Sequence, residues 1–280
     1  MPVRALIVGG TGGIGYAIAS RIASEPTASV VISGRNKPTF TLPANIEFRP
    51  LDASSMRAVK KYTDEFKATS GPDQKLDYLV LANGILTTAG RTETPEGLDN
   101  KMALHYYSRF LLIRELEPVL KEDAKVVTIL DSLRGSPNDV NWDDLDVKKN
   151  WSLAACAKHC MAFTDAMIQW HATNQGSNRR QFIHTYPRFV KTNISKSLPV
   201  YLRVPAKGLG SIMGTAPSVY AEKTLNGVHA VAEAGEKNGR WSFIDHEGKP
   251  ITAKAVWKEE DMAKVKEHTW KIYDEAISKA

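Results

Sequence analysis

Short apolar runs alternate with longer amphipathic stretches from the first residues of the chain. "VRALIVG", from Val3, reads as a strand, and "GIGYAIASRIASE" as a helix with an apolar stripe. "SVVISG" and "IEFRPLD" read as the second and third strands. "SSMRAVKKYTDEFKAT" reads as an amphipathic helix with Ser54 or Ser55 as its N-cap. "LDYLVLANG" is a fourth strand, "EGLDNKMALHYYSRFLLIRELEPVLK" a long helix and "AKVVTIL" a fifth strand. "SLAACAKHCMAFTDAMIQWHA" is a long helix and "RQFIHTYP" a sixth strand. After an irregular stretch come a helix, "PSVYAEKTLNGVHAVAEA", a short strand, "GRWSFID", and a last helix from Lys258. Strands joined through helices imply a parallel sheet covered on both faces. Between the second and third strands, "RNKPTFTLPAN" holds two prolines and lacks helical periodicity, so the usual crossover helix is short or missing there.

No linker, repeat or low-complexity run divides the 280 residues, so one domain over 1–280 is expected. The apolar runs are strand-sized, far short of the ~18 residues that span a membrane. The N-terminus enters a strand directly, and no signal peptide is read there. The net charge is +6, but lysines and arginines are mixed with acids, as in "KEEDMAKVKEHTWK". A nucleic-acid binder would gather that charge into a patch, so none is expected as partner. Cys156 and Cys160 stand four apart on one helix, a spacing that does not suit a disulfide. With His159 they fall short of a zinc site, so no metal is expected and a reducing cytoplasmic location is.

The chemistry begins at "LIVGGTGGIGYAIA". Gly9, Gly13 and Gly15 lie between the first strand and the first helix. Glycines there permit a tight turn and let a pyrophosphate reach the helix N-terminus. With Gly10, Thr11 and Ile14 they are expected to line a dinucleotide site, in a Rossmann-type doubly wound parallel sheet. The second strand ends "VISGRN", with Arg35 and Asn36 where an NAD site shows an acid. An arginine there suits a ribose 2′-phosphate, so NADP(H) is the expected cofactor.

These residues resemble the short-chain dehydrogenase/reductase family. "PLDAS" matches the segment whose acid, here Asp52, contacts adenine in that family. "LANG" stands where the family has Asn-Asn-Ala-Gly, which implies that Ala82, Asn83 and Gly84 line the cofactor's ribose. "YPRFVKTN" is similar to the segment after strand six through Pro187, Val190 and Thr192, with Arg188 in place of a glycine. The resemblance implies that Ser132 orients the substrate and that Lys158 holds the nicotinamide ribose. It puts His105 at the family's supporting asparagine and Ala154 at the proton-donating tyrosine. No tyrosine occurs from Ser108 to Thr185. It also implies a homo-oligomer, dimer or tetramer, through the helices that hold His105 and Lys158, and a substrate lid over about 193–214. The apolar, aromatic "LPVYLRV" within that lid suits a bulky substrate.

Three chemistries stay open without the tyrosine. His105, His159, Lys158 or Tyr186 could supply the acid. An iminium substrate would need hydride alone and would favour a carboxylate; Asp165 shares a helical stripe with Ala154 and Lys158. Arg134 could bind an anionic substrate group. Third, the scaffold could perform a non-redox cyclisation or isomerisation, or bind NADPH without turnover. The chain is similar to atypical fungal secondary-metabolism members, which implies a role in alkaloid-like biosynthesis.

Overall fold

The structure is a computed structural model and describes residues 2–71, 74–192, 214–235 and 239–278. Seven parallel strands form one sheet: β1 (Arg4–Val8), β2 (Ser29–Gly34), β3 (Ile46–Pro50), β4 (Leu76–Leu81), β5 (Leu120–Ile129), β6 (Gln181–Thr185) and β7 (Trp241–Ile244). Their order is β3-β2-β1-β4-β5-β6-β7. The direction reverses beside β1, so the C-terminal ends of β1 and β4 flank a crevice, the usual ligand position in such sheets. The helices are α1 (Gly13–Ala23), α2 (Met56–Thr69), α3 (100–116), α4 (Leu153–Thr173), α5 (Pro217–Glu233) and α6 (Glu259–Ser278). β2 joins β3 without a helix, as the two prolines of the connection lead one to expect.

Alternation along β1 sorts the core. Ala5 and Ile7 point to the face covered by α1 and α5, with Ile18, Ala19, Leu225 and Val228. Leu6 and Val8 point to the other face, covered by α2, α3, α4 and α6. Both faces are sealed, which is why the strands read as apolar runs without polar alternation.

Two boundaries differ from the sequence reading, each for a local reason. α3 begins at Asn100 rather than near Glu96, because the Asp99 carboxylate accepts from the backbone N–H groups of Lys101 (2.9 Å) and Met102 (3.1 Å). It ends at Leu116, where Pro118 lies in a single 3-10 turn, and β5 then starts at Leu120. Within α3, Ala103–Tyr107 forms a π-helical turn centred on His105.

α6 lies across α3 and α4. Tyr106 bonds Thr269 (2.6 Å), Tyr107 bonds the His268 ring (2.9 Å), and the Tyr273 hydroxyl donates to the Tyr107 carbonyl (2.7 Å). These bonds seat the C-terminal helix on α3, the helix that holds His105. Between α3 and α4, Phe163 packs edge-on against Tyr106 at 5.2 Å and is fully buried. Phe163→Ala is expected to lower unfolding stability by about 3 to 5 kcal/mol, read by urea titration.

Candidate functional site

The crevice at the ends of β1 and β4 is a cleft of about 480 Å³. Gly9, Thr11, Gly12, Gly13, Ile14 and Gly15 line one wall. The backbones here meet without room for side chains. A Cβ on Gly15 would lie 2.2 Å from the Gly9 carbonyl oxygen, and one on Gly9 would lie 2.5 Å from the Asn83 nitrogen. Gly9 also has φ +81°, a conformation that disfavours other residues. The N-terminus of α1 has Gly12 as its cap and no capping side chain or acid in its first turn. Its orphan N–H groups and the positive end of the helix dipole are thus left for an anion. Thr192 stands against this turn: a Cβ on Gly13 would lie 3.1 Å from its methyl group.

At the far end Arg35 and Asp52 line the cleft. Asp52 accepts from Ser54 through both the backbone N–H (3.0 Å) and the hydroxyl (2.7 Å). Ala82, Asn83, Gly84 and Ile85 form the floor, with Asn100 and Leu104 above it. The Asn83 amide donates to the Leu104 carbonyl (2.8 Å) and Ser108 hydroxyl (3.0 Å), which ties the floor to α3. A crowded glycine turn, an uncapped helix start and a cation at the opposite end fit a dinucleotide phosphate ester. Asn100, Leu104 and Ile85 escaped the sequence reading, since nothing in their spacing marks them.

Other residues expected on the cofactor side fall elsewhere. A Cβ on Gly10 would meet the Ile7 carbonyl at 2.8 Å and Ile32 at 2.9 Å, so Gly10 serves strand packing. Asn36 and Pro187 do not line the cleft. Val190 bridges to Thr215. Most of the lid expected over 193–214 lies outside the described residues.

The catalytic half is rearranged. Ser132 is fully buried, and its hydroxyl donates to the Ile244 carbonyl (2.8 Å), pinning the segment after β5 to β7. Lys158 does not line the cleft; its side chain is 57% exposed and pairs with Asp139 at 3.1 Å. Ala154 and Lys158 lie on an exposed face of the first two turns of α4, where Cys156 is already buried, whereas from His159 to Gln169 every residue is buried. The stripe that joined Asp165 to Lys158 is therefore real in spacing but passes from solvent into the core. Asp165 accepts from His184 Nδ1 (2.7 Å) and pairs with Lys254 (2.5 Å). Burial raises the Asp165 carboxyl, against the pull of His184 and Lys254, and lowers the His184 imidazole. Arg134 is 75% exposed beside Asp131 (3.4 Å). His159 is spent on Asn141 N–H (2.9 Å) and the Leu145 carbonyl (3.2 Å).

His105 lies directly behind the floor. A Cβ on Gly84 would come within 2.8 Å of its ring, and its Nε2 meets the Ile85 carbonyl at 2.9 Å. Burial lowers the imidazole to about 4, so at neutral pH it carries no proton to donate as an imidazolium. Arg109, one turn on, is also fully buried. Its guanidinium donates to the Ile129 carbonyl (2.8 Å) and the Asn83 carbonyl. A lone arginine in the apolar run "RFLLI" was a visible signal that the sequence reading passed over.

The sheet order and this cleft define a doubly wound nucleotide-binding fold. The model of a family described as enoyl-(acyl carrier protein) reductase matches residues 9–143. The chain is similar to the oxidoreductase AN1596 of Emericella nidulans, 32% identical over 205 residues, 69% of this chain and 60% of that protein. Human polyprenol dehydrogenase is 28% identical over 251 residues, covering 80% of this chain and 74% of its own. The first three curated relatives are matched over 60%, 62% and 58% of their own length. Among solved structures, NADPH-bound carbonyl reductase from chicken fatty liver shares the fold, with a TM-score of 0.60 and 15% identity over 90% of this chain and 99% of that one. The chain is thus similar over about two thirds of its length to a fungal oxidoreductase, and it shares the fold of a solved short-chain dehydrogenase family protein from Francisella tularensis, with a TM-score of 0.58 and 18% identity over 88% of this chain and 98% of that one. No helix of the described residues is long and apolar enough to cross a membrane.

Three outcomes test the placement. Gly15→Val is expected to abolish dinucleotide binding and lower the melting temperature, since its side chain would enter the Gly9 backbone. Lys158→Ala is expected to leave cofactor affinity within roughly twofold, as an exposed ion pair contributes little. Lys254→Met is expected to cost about 3 kcal/mol of stability by stranding the Asp165 charge.

Proposed function

We propose that the chain is an NADP(H)-dependent reductase that delivers hydride to a carbonyl or C=N carbon without the family's tyrosine acid. The observation that carries this reading is the cleft itself: a complete phosphate-binding turn at one end and Arg35, with no acid beside it at the end of β2, at the other. Arg35 would pair with a 2′-phosphate, the first turn of α1 would hold the diphosphate, and Thr192 would close over it. A bound nicotinamide cofactor would supply the hydride. Asn83, Gly84 and Ile85 would position the ring-bearing end, held in turn by Asn83's bonds to α3.

Among the described residues no tyrosine, histidine or lysine lines the cleft. From the described residues of the cleft the substrate would receive hydride with little protonation, its proton coming from water or from outside them. Exposed Leu86, Leu133, Leu153 and Phe189 follow or flank the C-terminal ends of β4, β5 and β6. They support a bulky, apolar small-molecule substrate. Fungal oxidoreductases among the relatives support a role in secondary, alkaloid-like metabolism. A second reading, binding without redox turnover, is favoured by the displacement of Ser132 and Lys158 from the cleft.

The test is loss of NADPH absorbance with a panel of apolar ketones, enones and cyclic imines. Turnover with any of them supports the reductase, and Arg35→Ala is then expected to raise the KM for NADPH roughly tenfold or more while leaving that for NADH unchanged. Tight NADPH binding with no turnover across the panel selects the second reading. Arg35→Ala without effect on NADPH contradicts the cofactor assignment.

A further inference from the structure

Arg109 is a buried cation without a counter-ion among the described residues. Its side chain lies behind the cleft floor, with Nη2 3.7 Å from the place a Gly84 Cβ would occupy. Its two bonds go to backbone carbonyls, Asn83 at the end of β4 and Ile129 at the end of β5, and its Nε has no partner among the described residues. The surrounding groups do not neutralise it. Asp99 pairs with Lys101 (3.5 Å), Glu96 with Arg57 (3.7 Å) and Asp165 with Lys254 (2.5 Å). Cys160 stays a thiol, pushed well up by its bond to Cys156 and by burial, His105 is neutral, and burial lowers the His184 imidazole, whose Nδ1 bonds to Asp165. Burial lowers the guanidinium only to about 10, so it remains charged at neutral pH. A neutral amide could satisfy a carbonyl at far smaller desolvation cost. The charge itself is thus the feature to be explained.

We propose that Arg109 is a selectivity-determining residue: its fixed positive charge under the Asn83–Ile85 floor makes the cleft bind the reduced, uncharged dihydronicotinamide in preference to the oxidised, cationic ring. The inference rests on the reading of the cleft as an NADP(H) site. The field biases the protein toward reduction. It also disfavours a cationic iminium beside the floor and favours a neutral carbonyl or enone, on which hydride addition builds negative charge. A fixed charge in a dry site acts without reorganising, which makes it a substitute for part of what a proton donor supplies. At about 10 Å and an effective dielectric near 20, one unit charge changes such a preference by roughly tenfold.

The test is fluorescence or calorimetric titration of NADPH and NADP+ separately into the wild-type chain, Arg109→Met and Arg109→Lys. The wild type is expected to bind NADPH roughly tenfold more tightly than NADP+. Arg109→Met is expected to bring the two affinities close together, and Arg109→Lys to keep them apart. A merely structural arginine would weaken both forms by the same factor, and that result overturns the proposal. So does a wild-type chain that binds NADP+ as tightly as NADPH, which decides the matter even where Arg109→Met does not fold. Binding of neither form by the wild type overturns the cofactor reading itself, and this proposal with it.

Discussion

The structure depends on one close approach of backbones. The Gly9 carbonyl faces Gly15 at the start of α1, while the Gly9 α-carbon faces the Asn83 nitrogen beyond β4. No side chain fits on either side. This contact seats α1 against the sheet, opens the crevice at the strand reversal and leaves the first turn of the helix uncapped over it. The dinucleotide cleft is what remains of that crevice once its floor is fixed to α3 through Asn83.

The rest of the fold protects this arrangement from the far side. α3 carries the π turn that places His105 behind Gly84 and Arg109 beneath Asn83. α4 and α6 then bury α3, through Phe163 and through the hydroxyl bonds to Thr269, His268 and Tyr107. The guanidinium of Arg109, nearest the floor, bonds only to backbone carbonyls among the described residues. The same packing holds His105, at the family's asparagine position, behind the floor rather than in the cleft.

The nucleotide half was legible because its signals are local. Glycine spacing, the strand before it, the helix after it and the absence of an acid beside Arg35 all lie within a few dozen residues. The proline-marked connection after β2 was legible for the same reason. The catalytic half was not. A helical stripe sets Ala154, Lys158 and Asp165 in line, but it cannot say where along the helix solvent gives way to core. That boundary is set by α6 and by Lys254, both far along the chain. Ser132 likewise bonds to Ile244, a partner no spacing rule reaches.

The central claim is that the cleft holds a nicotinamide dinucleotide by its 2′-phosphate. Calorimetric titration of the wild-type chain with NADPH and with NADH tests it most directly. The account predicts that NADPH binds at least roughly tenfold more tightly, the worth of a charge-assisted pair to Arg35. Equal affinities, or heat from neither ligand, would contradict it.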